Sequence, residues 1–499
     1  MRHCARRYAY WFVLASLLFA FLLIGVTHLG GFCWDFDEGV ILEKAWLAQR
    51  YRLYREIWSD HMPGYFLCLA LAFRLFGVSV ETGRALTLCF ATLGLVGVAM
   101  AVRELGSRLG SLIAVASLAL SPLFFRLSRA AMMGLPAVCL ASLAFPPALR
   151  YLRTGKRGWL ILAGAFYALG ISMKLVAAPF ILPLAFAVFL RGKLWREKTK
   201  DLAALASPVA ALFLLLVLLF QPEAMAAQIL GNYLGDRGSS PLDLAANGWR
   251  AAGLLAQCGL MAAPLCGLAS CVIERRRDMF LVLAWFGASL AALLTHTPLF
   301  DHHMLLLLPP AASLMGGALG EIERQLRSLL SMERARPPGI LTALVFGLAV
   351  GSVVVFLCQV PQMIARDQGL TVAVKPEAPC PFGWEAARLV REVTRPGDFV
   401  ITDYPMIAFR AGRMVPPWIC VPSYTRVHNG FLTAEELISA SLEYRPRAVV
   451  LWGRAFELLP RYVSWVEANY DLLATYDEEH RIYVHGMPGG QERRAMGGD

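Results

Sequence analysis

Several stretches of this sequence combine side chains that can do acid–base and anion chemistry. WDFDEGV carries Asp35, Asp37, Glu38 and Gly39, and Asp60-His61 follows some twenty residues later. Arg126, Ser128 and Arg129 form a third group, Met173-Lys174 a fourth, and Asn232, Tyr233, Asp236 and Arg237 a fifth. The sixth, THTPLFDHHM, holds His296, Asp301, His302 and His303. A carboxylate such as Asp37 or Glu38 can take the proton of an acceptor hydroxyl. Cations such as Lys174 and Arg129 can hold a phosphate and stabilise it as a leaving group. Asp60, His302 and His303 are left as contacts to the rest of a substrate. Each residue also has a plain reading. Loop acids are often only solvated, Lys174 can snorkel, and Arg129 or the histidines can anchor at the membrane interface. His302 and His303 are adjacent, so a helix would point them to different faces, which argues against a shared metal. The chemistry requires neither metal nor cofactor.

The elements that position these groups are set by composition. The chain has 499 residues, is 57% hydrophobic and only 17% charged, with mean hydropathy +0.54. A soluble domain carries about 25% charged residues, so lipid must be the solvent for much of this chain. Its net charge of +11 lies largely in short loops between apolar runs, which is a topology signal and excludes nucleic acid as the partner. The eleven cysteines show no CxxC or zinc spacing, and most fall in apolar runs. Cys33, Cys380 and Cys420 fall where an oxidising compartment is expected, which leaves a disulfide among them open. The basic start and the apolar run from Tyr8 to Val26 are too long for a signal h-region and read as a first span.

Eleven runs are long enough to span: 9–28, 84–102, 109–126, 131–149, 158–173, 175–190, 203–220, 251–273, 279–295, 303–320 and 339–360. A twelfth, 64–77, is short, carries Arg74 and follows Met62-Pro63. If it lies in the interface, the inner loops hold about 21 Lys and Arg and the outer loops about 10. If it crosses, that balance inverts. The run therefore reads as an amphipathic interfacial helix, with the N-terminus cytoplasmic, the C-terminus outside, and all the reactive groups on the outer side. From about residue 364 the composition becomes mixed. Helix-like stretches (384–395, 433–444, 459–469) alternate with β-rich runs at 399–402, 448–452 and 481–484, the pattern of a small α/β unit with a partly parallel sheet. Asp403, just past the first of these runs, sits where such sheets bind ligands.

At WDFDEGV the chain resembles the C-superfamily membrane glycosyltransferases, in particular the bacterial branch related to protein O-mannosyltransferases and lipid A aminoarabinose transferases. HMPGYFLCLALAFRLFGVSVETGRALT, SPLFFRLSRAAMMGLPA, GAFYALGISMKLVAAPFILP and FDHHMLLLLPPAASLMGG resemble further family segments, in family order, over about residues 1–360. The resemblance implies Asp37 as base, Glu38 as its assistant and Lys174 as donor-phosphate contact. Two positions depart from the pattern. Met62 stands where many relatives have Lys, which makes His61 the substitute phosphate partner, and Gly134 stands where relatives often have an acid.

The expected architecture is a membrane all-α unit at 1–363, an extracytoplasmic α/β domain at 364–488, and a disordered end at 489–499. The expected activity is inverting transfer of a sugar from a polyprenyl-phosphate donor to an acceptor hydroxyl of a lipid, glycan or protein, in the plasma (inner) membrane among its lipids. The rival classes are a transporter or lipid flippase, whose ionisable residues belong at the bilayer midplane, and a non-catalytic scaffold.

Overall fold

A computed structural model describes residues 2–29, 36–192, 194–234, 242–273, 275–330, 381–476 and 479–486, with 347, 348, 350–358, 360, 361, 494 and 495. Asp35, Asp236, Arg237, Cys33 and Cys380 lie outside these, as does part of the expected span 339–360.

Among the described residues six helices are long and apolar enough to cross a membrane: Tyr8–Thr27, Val80–Glu104, Gly134–Thr154, Trp195–Leu219, Arg277–Leu294 and Asp301–Gly320. The bent pair Leu109–Ala119 and Pro122–Ser128, which meet at 69°, makes a seventh if the two helices form one span. The bend falls where Pro122 starts a new helix and the Ser121 side chain accepts from the Phe124 backbone N–H. The protein is a multi-pass membrane protein, and among the described residues several of the expected spans are shorter or broken helices. The expected spans 158–173 and 175–190 are shorter helical pieces separated by an extended Lys174. The run 251–273 breaks between Gln257 and Ala263, where Gly259 takes a left-handed φ of 64°.

The short run 64–77 forms the helix Gly64–Phe76. At 1.5 Å per residue it is about 20 Å long, well short of the roughly 30 Å hydrocarbon core. Tyr65, Phe66, Leu69 and Phe73 are buried, while Leu67, Leu71, Leu75 and Phe76 are exposed. Close helix packing elsewhere depends on small residues. A Cβ on Gly164 would lie 2.1 Å from the Leu205 carbonyl oxygen, so Arg157–Met173 meets Trp195–Leu219 backbone to backbone.

The C-terminal part contains a five-stranded sheet in the order β1-β2-β4-β3-β5. β1 (Val400–Thr402) runs parallel to β2 (Ala448–Leu451), which pairs antiparallel with β4 (Arg481–Val484). β3 (Asp471–Thr475) pairs antiparallel with β4 and parallel with β5 (Arg494–Ala495). Three of these strands match the β-rich runs of the sequence. β3 was hidden because its burial does not alternate. Apart from β5, residues 489–499 lie outside the described set.

This C-terminal part packs on the first loop. The helix Phe36–Leu47 lies against Pro405–Ala411 so closely that a Cβ on Gly39 would sit 2.4 Å from the Met406 backbone nitrogen. Trp46 and Phe73 meet Phe409. The Arg426 guanidinium stacks over Trp58 at 4.2 Å.

Candidate active site

The helix Phe36–Leu47 presents two chemically different faces. Residues at i, i+3, i+4 and i+7 share a face, and Asp37, Val40, Ile41 and Lys44 all line one cavity of about 580 Å³. Asp60, His61, Met133, Gly134, Lys174 and His302 complete much of its wall, with Val421 and Ser423 from the C-terminal part. A second, larger space of about 1110 Å³ shares Asp37, His61, Lys174 and His302 and adds His296, Phe300 and His303. Side chains from four distant stretches of sequence therefore converge on one place. Asp37 is exposed at the helix start, in the first turn, where the free backbone N–H groups favour an anion.

Glu38, one residue on, points away from the cavity. It is wholly buried, and Arg84 donates to it twice, Nε to Oε1 at 2.8 Å and Nη2 to Oε2 at 2.7 Å. The Ala131 backbone N–H donates to Oε1 at 2.8 Å, and Arg84 also donates to the Leu29 carbonyl at 2.6 Å. Glu38 thus ties the first loop to Val80–Glu104 and to the turn before Gly134. The chemistry of this arrangement is positioning. Arg84 was visible in the sequence only as part of HMPGYFLCLALAFRLFGVSVETGRALT.

Lys44 went unread in the sequence, although its place two helical turns from Asp37 signals a shared face. Only 1% of its side chain is exposed. Its Nζ donates to Asp60 Oδ1 at 3.0 Å and lies 4.7 Å from the centre of the Phe66 ring. His61 Nδ1 meets the same Asp60 oxygen at 2.7 Å. Burial opposes ionisation of Asp60, but His61 and Lys44 more than offset it and hold the carboxyl well below the usual carboxylate range. Burial pushes the His61 pKa down; Asp60 opposes that, while Lys174 and Lys44 add to it. The contact with Asp60 holds the His61 ring on the cavity wall.

Lys174 caps Arg157–Met173 in an extended conformation (φ −159°, ψ 139°) and reaches both spaces. Arg129 is buried, with its guanidinium 4.1 Å from the Phe125 ring centre and Nε on the Phe125 carbonyl. It does not line either space. His302 and His303 do not point apart as an α-helix would require. They begin the tighter turn Asp301–Leu307, and their ring centres are 4.3 Å apart, with His296 also 4.3 Å from His303. Among the described residues no group of three His, Cys, Asp or Glu is arranged to hold a metal. Gly134 opens the helix Gly134–Ser142 on the cavity wall, and a Cβ there would meet nothing within 4 Å.

Asp403, just past β1, is buried. Its carboxylate accepts the backbone N–H groups of Trp452, Gly453 and Phe456 at 2.7, 2.8 and 3.3 Å and closes that loop. Cys420 is a buried free thiol.

The fold is that of the C-superfamily membrane glycosyltransferases. It is similar to ArnT from Cupriavidus metallidurans bound to undecaprenyl phosphate, with a TM-score of 0.68 at 14% identity over 96% of this chain and 99% of that one. It is also similar to the archaeal oligosaccharyltransferase AglB from Archaeoglobus fulgidus, in complex with an inhibitory peptide and a dolichol-phosphate. That TM-score is 0.56 at 13% identity, over 97% of this chain and 75% of that one. More particularly, residues 60–220 match the family model of dolichyl-phosphate-mannose-protein mannosyltransferases. No curated protein matches the chain in sequence.

Proposed function

We propose that the protein is a glycosyltransferase that moves a sugar from a polyprenyl-phosphate donor to an acceptor hydroxyl on the outer face of the plasma membrane. The observation that carries this reading is the meeting of Asp37 and Lys174, 137 positions apart in sequence, on the wall of one cavity. Asp37 takes the proton of the acceptor hydroxyl. The acceptor oxygen attacks the anomeric carbon as the bond from that carbon to the phosphate oxygen breaks, so the configuration inverts and polyprenyl phosphate leaves. Lys174 holds the phosphate and stabilises the charge it gains. Lys44, Asp60 and His61 form a hydrogen-bonded set beside it, fixing the His61 ring toward the substrate. Glu38 and Arg84 hold the helix that presents Asp37.

The lipid-linked nature of the donor is supported by the polyprenyl and dolichyl phosphates bound by the similar proteins. In this reading 1–363 form the membrane unit and 364–488 an extracytoplasmic unit that supplies Val421 and Ser423 to the cavity. The acceptor, whether lipid, glycan or protein, enters from that side. The test is incubation of purified protein with a panel of polyprenyl-phosphate sugars, following release of lipid phosphate. Release that depends on an added acceptor and vanishes in Asp37→Asn supports the reading. No release from any donor, or full release by Asp37→Asn, defeats it.

A further inference from the structure

A third concavity, of about 940 Å³, lies away from the candidate active site and shares no lining residue with it. One wall is apolar and comes from Leu67 of the interfacial helix and Leu218 and Leu219 of the span Trp195–Leu219. These leucines are 42%, 74% and 61% exposed, an exposure that fits contact with hydrocarbon. The other wall is the turn after Phe36–Leu47, with Tyr51, Arg52 and Arg55. Both arginines are exposed, and neither guanidinium makes an ion pair among the described residues. The one acid in this turn, Glu56, has Oε2 on the backbone N–H of Arg52 at 2.9 Å.

The depth of this groove follows from the span beside it. Trp195–Leu219 starts in a basic segment with Arg196, Lys198 and Lys200 and ends at Leu219, after which Phe220 leaves the helix. Arg52 and Arg55 therefore stand where the opposite end of a membrane helix meets the head groups, above leucines at acyl-chain level. Two guanidiniums over an apolar wall at that height match one chemistry: a phosphate head group carrying hydrocarbon chains. A soluble anion would leave the leucine wall uncovered, and an apolar segment would leave the arginines without a counter-charge.

We propose that this groove binds an acidic phospholipid of the bulk membrane, with its phosphate between Arg52 and Arg55 and its chains along Leu67, Leu218 and Leu219. The turn that would hold it is a stiff one. Tyr54 has a left-handed φ of 64°, its N–H donates to the Ile57 carbonyl at 2.8 Å, and its hydroxyl donates to the His61 carbonyl at 2.7 Å. Bound lipid would therefore brace the segment that leads into Asp60-His61.

The experiment is native mass spectrometry of the full chain in detergent, after mixing with phosphatidylglycerol or phosphatidylcholine. Wild type is expected to retain phosphatidylglycerol at least about fivefold better than phosphatidylcholine. The double variant Arg52→Gln/Arg55→Gln should bring the two lipids level, Arg52→Lys/Arg55→Lys should keep most of the preference, and Lys198→Gln at the other end of the span should keep all of it. Both arginine positions are exposed, and an unchanged melting temperature shows that the variants are folded. Equal retention of the two lipids by wild type overturns the proposal, as does undiminished phosphatidylglycerol on the double glutamine variant. Displacement of the lipid by millimolar inorganic phosphate also overturns it, by marking a site for the free anion. So does displacement by equimolar undecaprenyl phosphate, which would assign the groove to a polyprenyl lipid.

Discussion

The two faces of Phe36–Leu47 are built from the same residue types and serve opposite ends. On the cavity face Asp37 is exposed and Lys44 reaches the wall, with Asp60, His61 and Lys174 around them. On the packing face Glu38 is fully buried on Arg84, Gly39 presses on Met406, and Glu43 is buried on the C-terminal part. One acid faces the cavity while the acid one position away is fixed in the packing. Rotating the helix by a single residue, 100°, would exchange the two roles.

The sharpest way to break this contrast is Asp37→Asn, which keeps shape and removes the base. We expect turnover to fall by roughly a hundredfold or more, with an unchanged melting temperature and donor binding largely kept. Full activity would place the chemistry elsewhere. Arg84→Ala should act on the packing face alone and leave Glu38 as an uncompensated buried charge. A loss of about 3–5 kcal/mol of stability is expected, read as a lower melting temperature in detergent. A well-folded Arg84→Ala variant with only a kinetic defect would move the pair from packing to chemistry.

Lys174→Ala should weaken donor binding by about 1.5–3 kcal/mol, the usual worth of a hydrogen bond to a charged group, measured as a raised KM for the polyprenyl-phosphate sugar. A fall in turnover with unchanged KM would mean that Lys174 acts only in the transition state.

The smallest effect concerns Glu43. Its Oε1 accepts the Val415 backbone N–H at 2.7 Å, and Oε2 has no hydrogen-bond partner. Burial raises its pKa from 4.5 to about 8, against the lowering effect of the Val415 hydrogen bond. A carboxyl whose folded pKa is raised contributes stability that is fully present below its unfolded value. That stability is lost as pH rises from about 4.5 through about 8. Glu43→Gln keeps the acceptor for Val415 and has no proton to lose. The wild-type melting temperature should therefore fall between pH 6 and 9 more steeply than that of the variant. Parallel curves would show that Glu43 does not titrate in this window.

Local pattern made much of this molecule legible. The apolar runs and the low charge fraction dictated a membrane protein, because burying that many apolar side chains in water has no solution without lipid. The short run after Met62-Pro63 could be set apart by length. Asp37 and Lys174 stood out because ionisable residues at the ends of apolar runs are few. Helical periodicity also places Lys44 two turns from Asp37, on the same face. Overlong runs were divided less well. Pro122 and Gly259 break apolar stretches that hydropathy reads as continuous.

What the sequence by itself determined is therefore the lipid solvent, the strands of greatest β character, and which side of one helix carries Asp37 and Lys44. What only the tertiary structure decided is partnership. Glu38 finds Arg84 46 positions away, Glu43 finds Val415 372 positions away, and Asp60 joins Lys44 to His61. Nothing local distinguishes Asp37 from Glu38, because both are acids in the first turn of the same helix. The difference arises from burial. A carboxylate removed from water must be met by cations and N–H groups, and those arrive only when distant helices pack around it.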